Sequence, residues 1–471
     1  MSFQQLIAQK DLDISIVELK DLEGSSRFDA EFYKPIYLQG SNLIINKKHD
    51  NLLNITKKID VGFVGTMVKE YTDEGVTLLQ TQNVQEFFLD VDNVVKINNE
   101  FHNKLKKSQI NYGDILIARS GSFGKASIYL GKDTINSSDV IIIEAKEEAI
   151  NPFYLLTFIN SRYGVGQLIR FASGGLQGHV NLGILESFSV PFSDLYFQET
   201  IAKIIKESFA HREKSKSLYQ QAEQLLLSEL GLENYKPTEN NISVKNSNEV
   251  GIFSRMDAEF FQPKYDEIIE KIKNYKGGRD VLDNLIEVSD EKIQQTENKI
   301  FQYVELADID GSNGLVNEFT KIEGQDLPSR AQMKIKKGDV VLSSVAGSCS
   351  KIALITSNDD NLVASTGFFI LRSKFFNPET NLLLMKSWMY QEFLKRTARG
   401  MILEATNKDD FKKYILPKVD NLIQQKIAEL VTQSHKARNE SKKLLDVAKR
   451  AVEIFIEEDE EKAMEFISKS L

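Results

Sequence analysis

The stretch Ser26-Arg27-Phe28-Asp29-Ala30-Glu31-Phe32-Tyr33-Lys34-Pro35 occurs a second time in the chain, as Ser254-Arg255-Met256-Asp257-Ala258-Glu259-Phe260-Phe261-Gln262-Pro263. Seven of the ten positions are identical. A long internal repeat decides the architecture, because each copy must build the same structural unit. The sequence therefore predicts two similar domains in tandem.

Shorter matches continue the repeat at a nearly constant offset of about 226 residues, which indicates one long duplication. The matched pairs are Gly113-Asp114-Ile115-Leu116-Ile117 with Gly338-Asp339-Val340-Val341-Leu342, Lys125 with Lys351, Arg170-Phe171-Ala172-Ser173-Gly174 with Arg396-Thr397-Ala398-Arg399-Gly400, and Asn181 with Asn407.

Each copy ends in a long segment with helical, heptad-like periodicity. The two stripes are apolar at both ends and share a central Ser, Arg, Ser, which predicts two long helices packed on each other. An antiparallel pair brings the two polar centres together. The stripes are Ile201, Ile205, Ser208, Arg212, Ser215, Tyr219, Ala222, Leu226, and Ile427, Val431, Ser434, Arg438, Ser441, Leu445, Ala448, Val452.

The remainder of each copy has the pattern of short strands and turns. Predicted strands are Thr77 to Gln80, Asp114 to Ala118, Val140 to Ile143, Gln302 to Leu306, Asp339 to Leu342 and Gly367 to Leu371, with short helices near Pro152 to Ser161 and Pro378 to Tyr390. We therefore expect an α+β fold of two similar α/β domains, 1–195 and 251–418, separated by two long antiparallel coiled-coil-like helices, 196–232 and 419–457. A linker, 233–250, and an acidic C-terminal tail, 458–471, complete the expected organisation.

Composition places the chain among globular proteins, since 41% of its 471 residues are hydrophobic and 27% are charged. Residues 1–10 lack the pattern of a secretory leader, and no apolar run approaches the roughly 18 residues of a membrane helix. The single cysteine, Cys349, fits a reducing compartment. We expect a cytoplasmic protein.

The net charge of −9 is unfavourable for nucleic acid, but the local distribution of charge matters more than the sum. Residues 104–132 contain six basic side chains and one acid, and residues 328–353 contain five basic side chains and one acid. Basic surfaces are therefore expected on an acidic protein.

Three local motifs resemble catalytic signatures and are better explained otherwise. Asn151-Pro152-Phe153-Tyr154 is similar to a DNA amino-methyltransferase box, yet Asn377-Pro378 in the other copy points to a helix cap with proline at the first position. Glu144-Ala145-Lys146 matches half of a nuclease site and has no acidic counterpart in the second copy. Gly124-Lys125-Ala126 lacks the other residues of a phosphate-binding loop. We expect a non-catalytic protein without metal or cofactor.

The ordered set of motifs, present twice from about Ile16 to Ile456, resembles the DNA-specificity (S) subunit of Type I restriction-modification enzymes, which serve in phage defence. The resemblance implies that each recognition domain reads one half of a split double-stranded DNA target and that the helices set the gap. It also implies two modification (methyltransferase) subunits and restriction (translocase and nuclease) subunits as partners, which use S-adenosylmethionine, ATP and Mg²⁺.

Base discrimination in the major groove needs donors and acceptors on groove-entering loops. Candidate DNA-binding residues of the first copy are Gln80, Gln82, Asn83, Arg119, Ser120, Ser122, Lys125, Arg170, Gln177 and His179; Lys125 and Arg170 are phosphate candidates. Those of the second copy are Tyr303, Glu305, Asp308, Ser343, Ser344, Lys351, Arg396, Arg399, Glu404 and Thr406, among which Lys351 and Arg396 are phosphate candidates. The alternative hypothesis is a protein-interaction scaffold without DNA readout, which would suit the acidic charge.

Overall fold

The computed structural model describes residues 16–18, 29–119, 124–172, 180, 182–185, 187–238, 240, 242–246, 257–399 and 405–471. The chain divides into two compact units. Unit 1 comprises residues 1–210 and 441–471, and unit 2 comprises residues 211–440. The division runs through the middle of both long helices, so each unit is built on half of each helix. The sequence predicted spacer helices separate from the two domains, whereas in the structure each half of each helix belongs to one of the two units.

Unit 1 contains short helices and eleven short strands among its described residues. The helices are α1 (Pro35–Ile45), α2 (Asn99–Lys104), α3 (Pro152–Asn160), α4 (Arg162–Phe171) and α5 (Leu182–Leu185). The strands are β1 (His49–Asn51), β2 (Thr56–Val61), β3 (Tyr71–Thr72), β4 (Val76–Gln80), β5 (Val95–Ile97), β6 (Gln109–Ile110), β7 (Ile115–Ala118), β8 (Ala126–Ile128), β9 (Ile135–Ser138), β10 (Val140–Ala145) and β11 (Ser189–Pro191). The first long helix, α6 (Leu195–Glu229), begins in this unit.

Unit 2 repeats this plan with additional strands. The helices are α7 (Pro263–Lys273), α8 (Leu282–Leu285), α9 (Pro378–Lys386), α10 (Trp388–Thr397) and α11 (Lys408–Lys412). The strands are β12 (Arg279–Val281), β13 (Ile286–Ser289), β14 (Ile300–Val304), β15 (Ile309–Asp310), β16 (Leu315–Val316), β17 (Thr320–Glu323), β18 (Ala331–Lys334), β19 (Val340–Ser343), β20 (Ile352–Leu354), β21 (Leu362–Ser365), β22 (Phe368–Ser373), β23 (Ala398–Arg399), β24 (Ala405–Thr406) and β25 (Ile415–Pro417). The second long helix, α12 (Asn421–Glu457), begins here, and α13 (Glu460–Ser470) follows it.

Both units contain a corresponding pair of sheets, although the second sheet has five strands in unit 1 and four in unit 2. In unit 1 the strand orders are β2-β10-β7-β8 and β3-β5-β4-β9-β6, and in unit 2 the corresponding orders are β13-β22-β19-β20 and β17-β14-β21-β18. In each unit the second sheet contains one parallel pair, β4 with β9 and β14 with β21. The predicted strands and the duplicated α+β architecture are confirmed.

The repeated Gly-Asp motif forms a turn before β7 and before β19. Gly113 and Gly338 adopt φ angles of 90° and 88°, which favour glycine. The following carboxylate closes the turn: Asp114 accepts from the Asn111 backbone N–H at 2.7 Å, and Asp339 accepts from that of Lys336 at 3.1 Å. The motif is therefore retained for turn geometry.

The two long helices pack antiparallel within each unit. In unit 1 the Ser208 hydroxyl donates to the Ser441 carbonyl at 2.9 Å, and in unit 2 the Ser434 hydroxyl donates to the Ser215 carbonyl at 2.8 Å. All four serines are buried. Every other member of the two predicted stripes is buried as well, except the half-buried Arg212 and Arg438. The heptad-like prediction is confirmed.

The Asn-Pro motifs are helix caps. Asn151 Oδ1 accepts from the Phe153 N–H at 2.9 Å, and Asn377 Oδ1 accepts from the Thr380 N–H at 2.8 Å. Each asparagine N–H also donates to a glutamine of a long helix, Asn151 to Gln198 at 3.0 Å and Asn377 to Gln424 at 2.9 Å. The motif thus fixes α3 and α9 to the long helices.

The C-terminal segment differs from the acidic tail expected for 458–471. Asp459 caps α13 by accepting from the Lys462 N–H at 2.8 Å. Ala463 and Ile467 lie four residues apart on one helical face and are buried in the core of unit 1. The acidic residues in the first turn of α13 dominate the sequence of this segment, so its apolar face was not predicted.

Candidate nucleic-acid interface

The ends of the parallel strands form equivalent edges in the two units. In unit 1 Gln80, the last residue of β4, pairs with Ser138 of β9. In unit 2 Val304 of β14 pairs with Ala364 of β21, and Glu305 follows directly. Each strand then enters a single 3₁₀ turn, Thr81–Asn83 or Leu306–Asp308. We call these the unit 1 edge (Gln80, Gln82, Tyr71, Arg119) and the unit 2 edge (Glu305, Arg330, Tyr303).

The unit 1 edge presents amide groups held by long hydrogen bonds. Gln80 Nε2 lies 3.4 Å from the Tyr71 hydroxyl, and Gln82 Nε2 lies 3.3 Å from Gln80 Oε1. Gln82 is exposed and Gln80 is half-buried. Bonds of this length are weak and are easily exchanged for a ligand.

Arg119 lies at the same end of the unit. Its guanidinium pairs with Asp139 Oδ1 at 2.9 Å and donates to the Val180 carbonyl at 3.1 Å. Thr81 Oγ1 donates to the Asp139 carbonyl at 2.7 Å. These bonds connect the end of β7 to the 3₁₀ turn of the unit 1 edge, with 24% of the Arg119 side chain exposed.

The unit 2 edge presents a carboxylate instead. Glu305 Oε2 lies 3.4 Å from the Tyr303 hydroxyl and 3.5 Å from Arg330 Nη2. The Glu305 and Arg330 side chains are 40% and 65% exposed, so the ion pair contributes little to stability. The Arg330 carbonyl accepts from the Thr366 N–H at 2.8 Å, which holds this residue beside β21.

Several sequence candidates support the edges from inside. Asn83 is buried and donates to the carbonyls of Asp90 and Asn93 at 3.0 and 2.9 Å. Asp308 caps the 3₁₀ turn through the Glu305 N–H. Tyr303 is also buried, with an exposed fraction of 4%. Burial raises the pKa of Tyr303, so its hydroxyl keeps its proton at neutral pH.

A second group of candidates joins the loops of unit 2. The Ser343 hydroxyl lies 2.8 Å from that of Ser348, and the Ser344 hydroxyl donates to the Gly367 carbonyl at 2.9 Å. The Thr406 N–H donates to the Ser344 carbonyl at 2.8 Å. Ser343 and Thr406 are buried, so their geometry positions loops and does not present base-reading groups.

The two repeated lysines occupy equivalent places. The backbone carbonyls of Lys125 and Lys351 accept from Ala118 and Ser343, each at 3.0 Å. Lys125 Nζ donates to Gln85 Oε1 at 3.1 Å, and Lys351 Nζ donates to the Ile309 carbonyl at 2.8 Å. Each ammonium therefore secures the segment after the 3₁₀ turn, and contact with phosphate stays a prediction.

The two repeated arginines do not fit the phosphate contact expected of them. Arg170 and Arg396 are 2% and 7% exposed. Arg170 Nε donates to the Phe32 carbonyl at 3.0 Å, and Arg396 Nε donates to the Phe260 carbonyl at 2.8 Å. Each guanidinium lies over the ring of the same phenylalanine, at 4.4 and 4.1 Å. Their role is to anchor the repeated Asp-Ala-Glu-Phe segment, which explains why both segments recur together.

Five candidates, Ser120, Ser122, Gln177, His179 and Glu404, lie outside the described residues. The backbone of Arg399 pairs with Ala405. Sequence reasoning missed Tyr71 and Arg330. The signal available for Arg330 was its place in the basic segment 328–353.

Within the described ranges no cluster of histidine, cysteine or acidic residues has the geometry of a metal site. The described helices also include none that is long and apolar enough to cross a membrane.

Residues 41–224 match the family described as Type I restriction modification DNA specificity domain. Three solved structures match most of the chain at low sequence identity. The Type I restriction-modification S subunit from M. genitalium is 13% identical, with 87% of this chain and 94% of that chain covered and a TM-score of 0.43. A chain from a structure titled for complex assembly and conformational transition of the type I R-M system is 13% identical, with 85% and 97% covered and a TM-score of 0.30. The HsdS subunit from Thermoanaerobacter tengcongensis is 14% identical, with 86% and 96% covered and a TM-score of 0.28. No curated protein sequence matches the chain.

Proposed function

We infer that this chain, whose residues 41–224 match the family described as Type I restriction modification DNA specificity domain, is the DNA-sequence-specificity subunit of such a system. The observation that carries this inference is the repetition of the matched domain: unit 2 repeats the four-stranded sheet, and it repeats the second sheet except for the additional strand β3 of unit 1. Specificity subunits are non-catalytic, so the chain supplies recognition.

The two edges explain how one chain reads a two-part target. Each edge exposes a polar head group at the end of a rigid parallel strand pair, which is how a site is presented to a groove without ordering a long loop. The groups differ between the edges, with glutamines in unit 1 and Glu305 with Arg330 in unit 2. Two different half-sites follow from this difference.

The partners we propose are double-stranded DNA, two modification subunits and the restriction subunits. Support for the subunits comes from the family to which residues 41–224 belong. Methyl transfer and strand cleavage would then take place on the partners, which would use S-adenosylmethionine, ATP and Mg²⁺.

The proposal is tested by selecting bound duplexes from a random-sequence pool with the purified full chain in complex with its modification subunit. We expect a motif of two short defined halves separated by an undefined gap. Replacement of residues 29–192 by those of another specificity subunit should change one half only. A pool without any enriched sequence would favour the protein-interaction scaffold, and a change in both halves would contradict the modular reading.

A further inference from the structure

Gln80 and Glu305 occupy the same structural position in the two units. Each is the N-cap of the 3₁₀ turn that follows the first strand of a parallel pair, β4 in unit 1 and β14 in unit 2. The Gln80 N–H donates to Asn83 Oδ1 at 2.9 Å, and the Glu305 N–H donates to Asp308 Oδ2 at 2.8 Å. Position in the fold is therefore the same, and the chemistry of the head group differs.

Neighbouring contacts determine which atom of each head group is presented to a ligand. Gln80 Oε1 accepts from Gln82 Nε2 at 3.3 Å, so the amide nitrogen Nε2 is the group that the unit 1 edge presents. Both carboxylate oxygens of Glu305 can only accept, and Oε2 is the one that lies beside Tyr303 and Arg330. The head groups therefore present the amide nitrogen Nε2 in unit 1 and the carboxylate oxygen Oε2 in unit 2.

In each unit a tyrosine hydroxyl lies 3.4 Å from the presented atom of the head group. Gln80 Nε2 donates to Tyr71 at 3.4 Å, whereas Glu305 Oε2 accepts from Tyr303 at 3.4 Å. The tyrosine accepts in one unit and donates in the other. Because both contacts are long, a base edge with better geometry can replace either hydroxyl.

We propose that this one position specifies one base in each half-site with opposite hydrogen-bond polarity. Gln80 donates to a keto base, guanine or thymine, and Glu305 accepts from an amino base, cytosine or adenine. The inference rests on the proposed function and adds the class of base that each unit reads at this position.

The chemistry of the major groove supports this assignment. Guanine and thymine present the acceptors O6 and O4, while cytosine and adenine present the amino donors N4 and N6. A carboxylate has no proton to donate, so Glu305 is repelled by a keto oxygen at the place where an amino group satisfies it. Arg330, 3.5 Å from Glu305, supplies the positive charge that offsets the carboxylate near the phosphates.

The test is a reciprocal exchange, Gln80→Glu and Glu305→Gln. Both substitutions keep the size of the side chain and leave the backbone N–H bonds to Asn83 and Asp308 in place, so each unit keeps its fold. Selection from the random duplex pool is repeated with each variant in complex with the modification subunit. Gln221→Glu is the matched control, because Gln221 is exposed on α6 and its amide nitrogen donates to the hydroxyl of Ser217 in the same helix at 3.2 Å.

We expect Gln80→Glu to change one position of the first half-site from a keto to an amino base, and Glu305→Gln to make the opposite change in the second half-site. Preference between the original and the exchanged base should shift on the order of ten- to hundred-fold. The Gln221→Glu variant should select the parental motif.

The outcomes separate the two levels of the hypothesis. A parental two-part motif that both folded variants still select, with or without a uniform loss of affinity, overturns the base assignment and leaves the proposed function standing. If the unmodified chain selects no two-part motif, the proposed function itself fails.

Amide hydrogen exchange of β4 and β14 identifies a variant that has lost its fold. The single changes Tyr71→Phe and Tyr303→Phe then serve as the second test. They remove the tyrosine hydroxyl that competes with a base for Gln80 Nε2 and Glu305 Oε2, and they should strengthen the existing preferences at the same two positions; no change at either position overturns the assignment.

Discussion

The two units meet their shared helices with different chemistry at equivalent positions. In unit 1 Phe209 packs against the rings of Phe88 and Phe153, with centroids at 4.8 and 6.3 Å. In unit 2 the position 226 residues later is His435, whose Nε2 lies 2.9 Å from the Asn313 carbonyl. An apolar contact in one copy is a hydrogen-bonded contact in the other.

Other contacts, by contrast, are the same in both copies. The hydrogen bonds of the serine pairs and of the buried arginines recur at similar distances. So do the bonds from Asn151 to Gln198 and from Asn377 to Gln424. The comparison teaches that the duplicated copies kept the contacts that hold each unit to the long helices. The helix residues that face each unit's own loops, such as Phe209 and His435, differ in chemistry.

The largest expected effect concerns the buried arginines that both units have in common. Replacing Arg170 or Arg396 by alanine leaves a buried carbonyl without its donor and creates a cavity, which should cost about 4 kcal/mol of unfolding free energy in the affected unit. Hydrogen exchange should show Arg170→Ala weakening unit 1 alone and Arg396→Ala weakening unit 2 alone. Undiminished protection together with loss of DNA affinity would restore the phosphate role.

The serine pairs should be nearly as sensitive to added volume. Ser208→Leu and Ser434→Leu place a large side chain where two helices approach closely, and each should cost about 3 kcal/mol in its own unit. The matched controls, Ser208→Ala and Ser434→Ala, lose only the hydroxyl bond and should cost about 1 kcal/mol. Urea unfolding measures both series, and equal costs for leucine and alanine would show that the helices do not pack closely here.

The repeated aspartates should respond in different ways to neutralisation. Burial raises the pKa of Asp114 to about 6, above its ordinary value of 3.8, so the folded state holds the proton and stability falls as pH rises from about 4 to about 6. Asp114→Asn keeps an acceptor for the Asn111 N–H and should stabilise unit 1 at pH 7 by about 2 kcal/mol. Asp339 pairs with Arg372 at 3.2 Å, so Asp339→Asn should gain less or destabilise unit 2. Equal gains in the two units would contradict the comparison.

The smallest effect concerns His435. Burial lowers its pKa below the ordinary 6.5, while the Asn313 carbonyl and Asp310 oppose this and Lys386 adds to it. The unfolded chain therefore binds the proton more readily, and stability that is complete above pH 6.5 should be lost progressively as pH falls below that value. His435→Gln keeps a donor for Asn313 and does not titrate. Hydrogen exchange of unit 2 from pH 7.5 to 5.5 should be flatter in this variant, and identical profiles would remove the histidine from the explanation.

Local and periodic features of the fold were predictable from the sequence. The heptad stripes, the Asn-Pro caps and the repeated strands each depend on neighbours a few residues apart, so their patterns predicted them. The buried contact of Arg170 was not predicted, because its acceptor, the Phe32 carbonyl, lies 138 residues away and leaves no local signal. The edges were predicted only in part. Gln80 and Glu305 lie at the ends of recognisable strands, whereas the contacts of Tyr71 with Gln80 and of Arg330 with Glu305 depend on how each unit folds.

The chain order of the units has a consequence for synthesis. Unit 1 needs residues 441–471 to complete its core, whereas unit 2 lies entirely within residues 211–440. Since chains fold as they emerge from the ribosome, unit 2 can complete its core while the larger part of unit 1, already synthesised, still awaits Ala448, Val452 and the helix α13. The first domain to be translated is thus the last to close, and a nascent chain stalled before residue 441 would carry one finished reading head and one exposed apolar surface for chaperones to hold.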